Sequence, residues 1–110
     1  MNIRLIKNKV SPGEEQEMLK ALGSYIKLAV DIKRGVAAGG SALHADCKAV
    51  LIDDGSLQDD IWGADWLPCS KEVRFEALIN VRPKQGNRSM VIQDCCIRDK
   101  VKTIVEEKFL

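Results

Sequence analysis

The chain has 110 residues, of which 45% are hydrophobic, 30% are charged and 5% are aromatic. That length and apolar content predict a single domain over residues 1–110 with one core, and they exclude a disordered, collagen-like or linker-like chain. The formal net charge of +1 argues against bulk electrostatic attraction to nucleic acid or to a membrane.

The N-terminal part of the chain predicts a short strand and then a helix. Residues 3–5 alternate between apolar and charged side chains, which is typical of a strand. Residues 11–14, Ser-Pro-Gly-Glu, combine a capping box with proline at the first helical position. Gly23 stands where a glycine commonly ends a helix. The apolar stripe of this helix consists of Met18, Leu19 and Leu22.

Two longer segments alternate with the period of two that indicates a strand. Residues 26–33 place Ile, Leu, Val and Ile between Lys, Ala, Asp and Lys, and the glycine-containing residues 35–40 are expected to end that strand. Residues 73–82 repeat the pattern. A hairpin loop over residues 83–87 is expected to lead into another short strand at residues 89–92.

The C-terminal part predicts an amphipathic helix. Asp94 is a suitable N-cap residue, and the apolar residues after it recur at helical spacing. Together the elements predict an α+β fold, in which two or three amphipathic helices pack on one face of a mostly antiparallel sheet of about four strands. The stripe of the last helix consists of Ile97, Val101, Ile104, Val105 and Phe109.

Residues 42–54 fit two kinds of element, and the choice decides what His44, the single histidine, can do. The length of this stretch favours a helix, but its apolar residues also alternate as in a strand. In a strand, His44 and Asp46 share one face, where they can orient each other or share a metal ion. In a helix they lie about 200° apart, and His44 neighbours Cys47 or Lys48. The simplest role for His44 is a hydrogen bond near a helix start.

Charge is distributed unevenly along the chain. Residues 49–70 contain five aspartates and no lysine or arginine, whereas residues 77–93 contain three basic residues and no acid. The expected hairpin places Arg82 opposite Arg88, and paired like charges are unfavourable. A phosphate or carboxylate bound by both guanidinium groups and by the Asn87 amide would offset that repulsion. Two side chains that spread into solvent are the alternative.

Trp62 and Trp66 lie four residues apart in the acidic stretch. Both suit the core or a subunit contact, and Trp62 is also a candidate for lining a ligand pocket. Stacking on nucleic-acid bases is disfavoured there, because the aspartates would repel the phosphate backbone.

No segment carries the pattern of a metal site, a cofactor motif or a membrane span. Residues 53–55, Asp-Asp-Gly, lack the spacing of a calcium loop. The adjacent Cys95 and Cys96 are expected to be poorly placed for a mutual disulfide or for shared zinc ligation. Apolar runs are far shorter than the roughly 20 residues of a membrane span, and the charged N-terminus does not have the pattern of a secretory signal. We therefore expect no metal, no cofactor and a cytoplasmic protein with four reduced core cysteines.

A series of short motifs follows the chain almost from end to end: Gly39-Gly40, Leu43-His44-Ala45-Asp46, Gly55-Ser56, Trp62-Gly63-Ala64, Leu78-Ile79-Asn80-Val81-Arg82-Pro83 and Gly86-Asn87-Arg88-Ser89-Met90. This series resembles a family of small uncharacterised bacterial and archaeal proteins, grouped as a domain of unknown function. The resemblance implies a stand-alone cytosolic domain and brings no reaction, cofactor or catalytic residue with it. One departure is Asp65, where asparagine is associated with the family's Trp-Gly-Ala motif.

The absence of a catalytic motif predicts a small binding or regulatory module that pairs with itself as a homodimer through its opposite charge blocks. The alternative is a protein or enzyme that binds a small anionic ligand, with His44 as the acid or base and Asp46 as its orienting partner. Nucleic-acid binding is disfavoured because five aspartates outweigh the three basic residues of the hairpin. The candidate ligand-binding residues are His44, Asp46, Trp62, Arg82, Asn87 and Arg88.

Overall fold

The computed structural model describes residues 3–110, so Met1 and Asn2, the start of the N-terminus for which no secretory signal is predicted, lie outside the described residues. Within that range, short loops and 3-10 turns join five strands and three α-helices. None of these helices combines the length and the apolar character that crossing a membrane requires. In chain order the elements are β1 (Arg4–Ile6), α1 (Pro12–Leu19), β2 (Ile26–Asp31), β3 (Val36–Gly39), α2 (His44–Asp53), β4 (Ile61–Leu67), β5 (Glu72–Arg74) and α3 (Cys95–Phe109).

The strands form one antiparallel sheet in the order β1-β3-β2-β4-β5. The central strand, β2, pairs with β3 on one side and with the whole length from Ile61 to Trp66 of β4 on the other. The α+β architecture agrees with the prediction, and the sheet has five strands instead of about four.

Helices cover both faces of the sheet. Leu28 of β2 belongs to an apolar cluster with residues of α1 and α3, whereas the next residue, Ala29, belongs to a cluster with residues of α2. The prediction that all helices pack on one face is therefore wrong for α2. The strand pattern counts Asp31 among its polar positions, but in the structure Asp31 is fully buried. Its Oδ1 accepts hydrogen bonds from the N–H groups of Lys33 and Arg34, both at 2.9 Å.

The signals predicted for the N-termini of α1 and α3 are confirmed. The Oγ of Ser11 accepts a hydrogen bond from the N–H of Glu14 at 3.2 Å, and the Glu14 carboxylate accepts one from the N–H of Ser11 at 2.8 Å. The C-terminal end of α1 differs from the prediction: the helix ends at Leu19, and Gly23 lies beyond that end, with a φ of +86° and its N–H donated to the carbonyl of Leu19. Asp94 caps α3 through its side chain. The two N-termini follow from local chemistry, which a sequence displays directly.

The glycine-containing segment that was expected to end β2 forms a strand of its own, β3, which pairs with β1 and with β2. Small residues are needed there because the neighbouring strand is bulky. A Cβ atom on Gly39 would come within 2.6 Å of Cδ2 of Leu28. Glycine at this position therefore permits close packing and does not break the sheet.

The later strands also differ from the prediction. The predicted strand over residues 73–82 leaves the sheet after Arg74, and the predicted strand at residues 89–92 is reduced to a single bridge between Glu76 and Val91. By contrast, β4 is an additional strand in the segment that contains both tryptophans.

The cysteines are less buried than expected. Cys47 is buried, whereas Cys69, Cys95 and Cys96 are exposed, and all four are free. The prediction of core cysteines therefore holds for Cys47 and is wrong for the other three.

Candidate functional site

A cleft of about 400 Å³ lies between the first turn of α2 and the chain that follows β5. Its apolar lining comes mainly from residues 77–79, from Leu43 and from Met90. Its polar lining comes from four elements that are distant in sequence and consists of Lys27, His44, Asp65, Arg74 and Glu76.

His44 is the first residue of α2, so the helix alternative is confirmed and His44 does not share a strand face with Asp46. Its Nε2 lies 2.9 Å from Oδ1 of Asp65 and 3.1 Å from the carbonyl oxygen of Ala64. A carboxylate and a carbonyl are both acceptors, which assigns the proton of the neutral ring to Nε2. Nδ1 then keeps its lone pair, and no group in the part of the chain that the structure describes is hydrogen-bonded to it.

Asp65 is held between His44 and an arginine. Its side chain is 8% exposed, and its Oδ2 lies 3.4 Å from Nη2 of Arg74. The guanidinium group of Arg74 in turn lies over the ring of Tyr25, 4.9 Å from the ring centroid. A carboxylate placed in this way orients the imidazole. His44, Asp65 and Arg74 are thus linked by a series of polar contacts, and all three line the cleft.

The apolar part of the lining formed by Ala77 and Ile79 depends on Gly63 and Asn80. The N–H of Gly63 donates to Oδ1 of Asn80 at 2.7 Å, and Nδ2 of Asn80 donates to the carbonyl of Gly63 at 3.0 Å. Ala77 and Ile79 pack directly over Gly63, where a Cβ atom would come within 2.4 Å of the Ala77 Cβ. The Trp-Gly-Ala and Leu-Ile-Asn motifs are therefore complementary parts of one wall.

The mouth of the cleft is apolar and open to solvent. Leu43, Leu78 and Met90 are 57%, 73% and 42% exposed, respectively. Large apolar side chains grouped around a polar cleft are a feature of binding surfaces.

Of the six residues predicted to bind a ligand, His44 is the one that lines this cleft. Asp46 accepts a hydrogen bond from the hydroxyl of Ser41 at 3.1 Å. Trp62 is 2% exposed and packs in the core, with the guanidinium carbon of Arg82 4.4 Å from its ring centroid. In the described residues these two candidates therefore have packing or capping contacts outside the cleft.

Arg82 and Asn87 are bound to backbone. Arg82 donates from Nε to the carbonyl of Ile79 at 3.0 Å and from Nη2 to the carbonyl of Ile61, so it ties the loop to β4. Asn87, 4% exposed, donates to the carbonyl of Asn80 at 2.7 Å. Arg82 is paired with Asn87, so the predicted opposition of Arg82 and Arg88 is wrong. The 3-10 turn and Gly86 at φ +79° shorten the loop by one residue.

Four polar residues of the cleft were not among the candidates: Lys27, Asp65, Arg74 and Glu76. Asp65 counted as one of five aspartates in an acidic stretch, although it lies between the buried residues Ala64 and Trp66. An aspartate between two apolar residues of a strand differs from the other four aspartates of the stretch, and this difference could have identified Asp65 as a site residue.

The cysteines do not provide a nucleophile for the cleft. Cys47 donates to the carbonyl of Lys27, and burial raises the pKa of its thiol to about 11. At the start of α3, the neighbouring Cys95 and Asp94 raise the pKa of Cys96, against the lowering that a helix N-terminus favours. No cysteine lines the cleft, and His44 is the residue of its lining whose neutral side chain can both donate and accept a proton.

In a comparison with protein-family models, residues 4–108 match a family described as "Protein of unknown function (DUF5674)". Comparison with curated proteins and with solved structures gave no match.

Proposed function

Because this chain belongs to the DUF5674 family, whose function is unknown, we propose its function from the cleft: it binds a small organic anion with an apolar body, and His44 exchanges a proton with that ligand. The observation that carries the proposal is the His44–Asp65 pair, at 2.9 Å and nearly buried, in a cleft of about 400 Å³. A nearly buried histidine oriented by a carboxylate is a common arrangement for acid–base chemistry.

Two features support an anionic group on the ligand. Lys27 lies opposite Asp65 in the strand register, yet it forms no ion pair within residues 3–110. The cleft also contains Leu43 and Ala45 at the start of α2, where Leu43 provides no side-chain cap. The N–H groups of a first helical turn lack intrahelical partners and favour negative charge.

The apolar rim supports an apolar body on the same ligand. Leu43 and Leu78 lie at the mouth, and burial of each by a ligand would contribute about 1 to 2 kcal/mol. A ligand that fills the cleft would place this body against the rim while its charged end reaches Lys27 and His44.

The proposal is tested by nuclear magnetic resonance with a library of small alkyl and aryl carboxylates. Binding members should shift the amide signals of Leu43, Ala45 and Leu78. Lys27→Gln should weaken binding by about tenfold or more, because a charged hydrogen bond contributes about 1.5 to 3 kcal/mol. Arg88→Gln, an exposed cation outside the cleft, is the matched control and should leave binding unchanged. The proposal fails if no carboxylate shifts those amides, or if the two variants weaken binding equally.

Self-association is the second candidate function, and the exposed apolar rim favours it. A homodimer would cover Leu43, Leu78 and Met90, whose exposure is unusual for large apolar side chains in one patch. Analytical ultracentrifugation at micromolar concentration should then give the mass of a dimer. Leu78→Glu should give a monomer, whereas Leu57→Glu, at a site 69% exposed and outside the cleft, should remain a dimer. A monomeric wild type would exclude this candidate.

The cytoplasm is the compartment that we propose for the protein. Four free cysteines, three of them exposed, support this location. Exposed thiols persist where the compartment is reducing and tend to form disulfides elsewhere. Fractionation of cells that express the native protein would test the location, and recovery in a membrane or extracellular fraction would contradict it.

A further inference from the structure

A second group of chemically reactive side chains lies at the start of α3. Asp94, Cys95 and Cys96 each offer one ligand atom, and these atoms lie within 4.8 Å of one another. All three residues are exposed, so an ion from solution can reach them. They are separate from the cleft, which they do not line.

The fold holds these three residues in place. Oδ1 of Asp94 accepts hydrogen bonds from the N–H groups of Cys96 at 2.8 Å and Ile97 at 3.2 Å. Ile97 packs against the main core cluster, which anchors the first turn of the helix. Both capping bonds use Oδ1, and no hydrogen bond within residues 3–110 engages Oδ2. The backbone of the site is thus organised before an ion arrives.

We propose that Asp94, Cys95 and Cys96 form a binding site for a thiophilic divalent cation of the zinc type, held by two thiolates and one carboxylate with water in the fourth position. Sulfur donors favour zinc over magnesium or calcium, which take oxygen ligands. Each thiol releases its proton to solvent when it binds the ion, so the binding step conserves charge and atoms.

The distances are compatible with a tetrahedral ion. Zinc–sulfur bonds of about 2.3 Å in tetrahedral geometry place two sulfur atoms about 3.8 Å apart. The ligand atoms are within 4.8 Å, so rotation of exposed side chains by about 1 Å closes the gap without moving the helix. The expectation that adjacent cysteines are poorly placed for shared zinc ligation is therefore revised by the helical backbone, which brings both thiols and the cap residue together.

The test uses cobalt(II) as a spectroscopic probe for zinc, with the purified chain kept reduced. Cobalt bound by thiolates gives a thiolate-to-metal charge-transfer absorption and the visible bands of a tetrahedral ion. The wild type should show both with one cobalt per chain, and zinc should abolish them by displacement. If no charge-transfer band appears when cobalt(II) is added to the reduced wild type, the proposal is overturned.

Three variants assign the ligands. Cys95→Ser and Cys96→Ser should each weaken cobalt binding by about 10- to 100-fold or more. Loss of a residue that merely hydrogen-bonds to a metal ligand already costs that much affinity, and these variants remove a ligand itself. Asp94→Asn removes the carboxylate but keeps a good N-cap residue, so it should weaken binding while the helix stays intact. Cys69→Ser, an exposed cysteine in the turn between β4 and β5, should bind cobalt as the wild type does. Equal binding by the wild type and a Cys95→Ser, Cys96→Ser double variant would overturn the assignment.

Discussion

The side-chain amide of Asn80 forms two hydrogen bonds with the backbone of Gly63, one from the Gly63 N–H at 2.7 Å and one to the Gly63 carbonyl at 3.0 Å. These are the two bonds that a residue of a neighbouring strand would form. β5 ends at Arg74 and is paired with β4 only from Asp65 to Leu67. One buried side chain thus completes the edge of β4 where the partner strand has left the sheet.

Replacement of Asn80 by alanine should lower the free energy of unfolding by about 3 kcal/mol or more. The change leaves the N–H and the carbonyl of Gly63 without their partners, and each buried unsatisfied group costs about 1 to 3 kcal/mol. Urea denaturation followed by tryptophan fluorescence measures the loss. Asn8→Ala, at an exposed position, is the control and should change stability by less than about 0.5 kcal/mol. Equal stabilities of the two variants would show that the Gly63–Asn80 pair does not stabilise the fold.

Gly63→Ala should destabilise the protein and displace the wall of the cleft. The new Cβ would lie 2.4 Å from the Cβ of Ala77, and overpacking of this kind costs about 1 to 3 kcal/mol. Thermal unfolding gives the stability, and amide chemical shifts of residues 77–79 report the displacement. Gly13→Ala places its Cβ 3.9 Å from Ser11 Oγ at an exposed position and should unfold at the wild-type temperature. A Gly63→Ala variant with wild-type stability would contradict the close packing.

The neutral ring of His44 should exist as the Nε2–H tautomer. Nε2 faces the Asp65 carboxylate and the Ala64 carbonyl, and both require a donor. Long-range proton–nitrogen correlation spectra distinguish the two ring nitrogens, and the chain has a single histidine, so the signals need no assignment by mutation. A neutral ring protonated on Nδ1 would contradict the arrangement and with it the proton-exchange role.

Three of the four cysteines should react with a thiol reagent in the folded protein, and the fourth should react only after unfolding. Burial raises the pKa of Cys47 to about 11, so about one thiol in a thousand is ionised at pH 8. Its reactivity should therefore rise with pH and stay low at neutral pH. With an aromatic disulfide as the reagent, each reacting cysteine releases one coloured thiolate. Its absorbance therefore gives the number of reactive cysteines with and without denaturant. A Cys47→Ser variant should show three fast thiols and no slow one, and four fast thiols in the wild type would contradict the prediction.

The N-termini of α1 and α3 are predictable from the sequence because their causes are local. Ser11 and Glu14 lie three residues apart, and Asp94 precedes the helix that it caps, so the chain displays each interaction directly. The strand pattern over residues 73–82 is a different case. Apolar alternation reports which side chains face inward, but it does not report whether a backbone or a side chain such as Asn80 supplies the hydrogen bonds.

The site was predictable only in part for a similar reason. His44 was a candidate because it is the single histidine. Its partner Asp65 lies 21 residues away, on a strand whose existence depends on pairing with β2. No local spacing links the two residues, so the pair becomes visible once β4 is placed in the sheet and α2 is packed on the face from which Asp65 projects.

The edge strands of the sheet have a consequence for how copies of the chain meet. β1 and β5 are three residues long, and Arg4, Glu72 and Arg74 on them are exposed. Short edges that carry charge offer few free backbone groups to an incoming strand. Continuous growth of the sheet from molecule to molecule is therefore disfavoured at both ends, and this protects a chain whose central strands are almost entirely buried from fibrous aggregation.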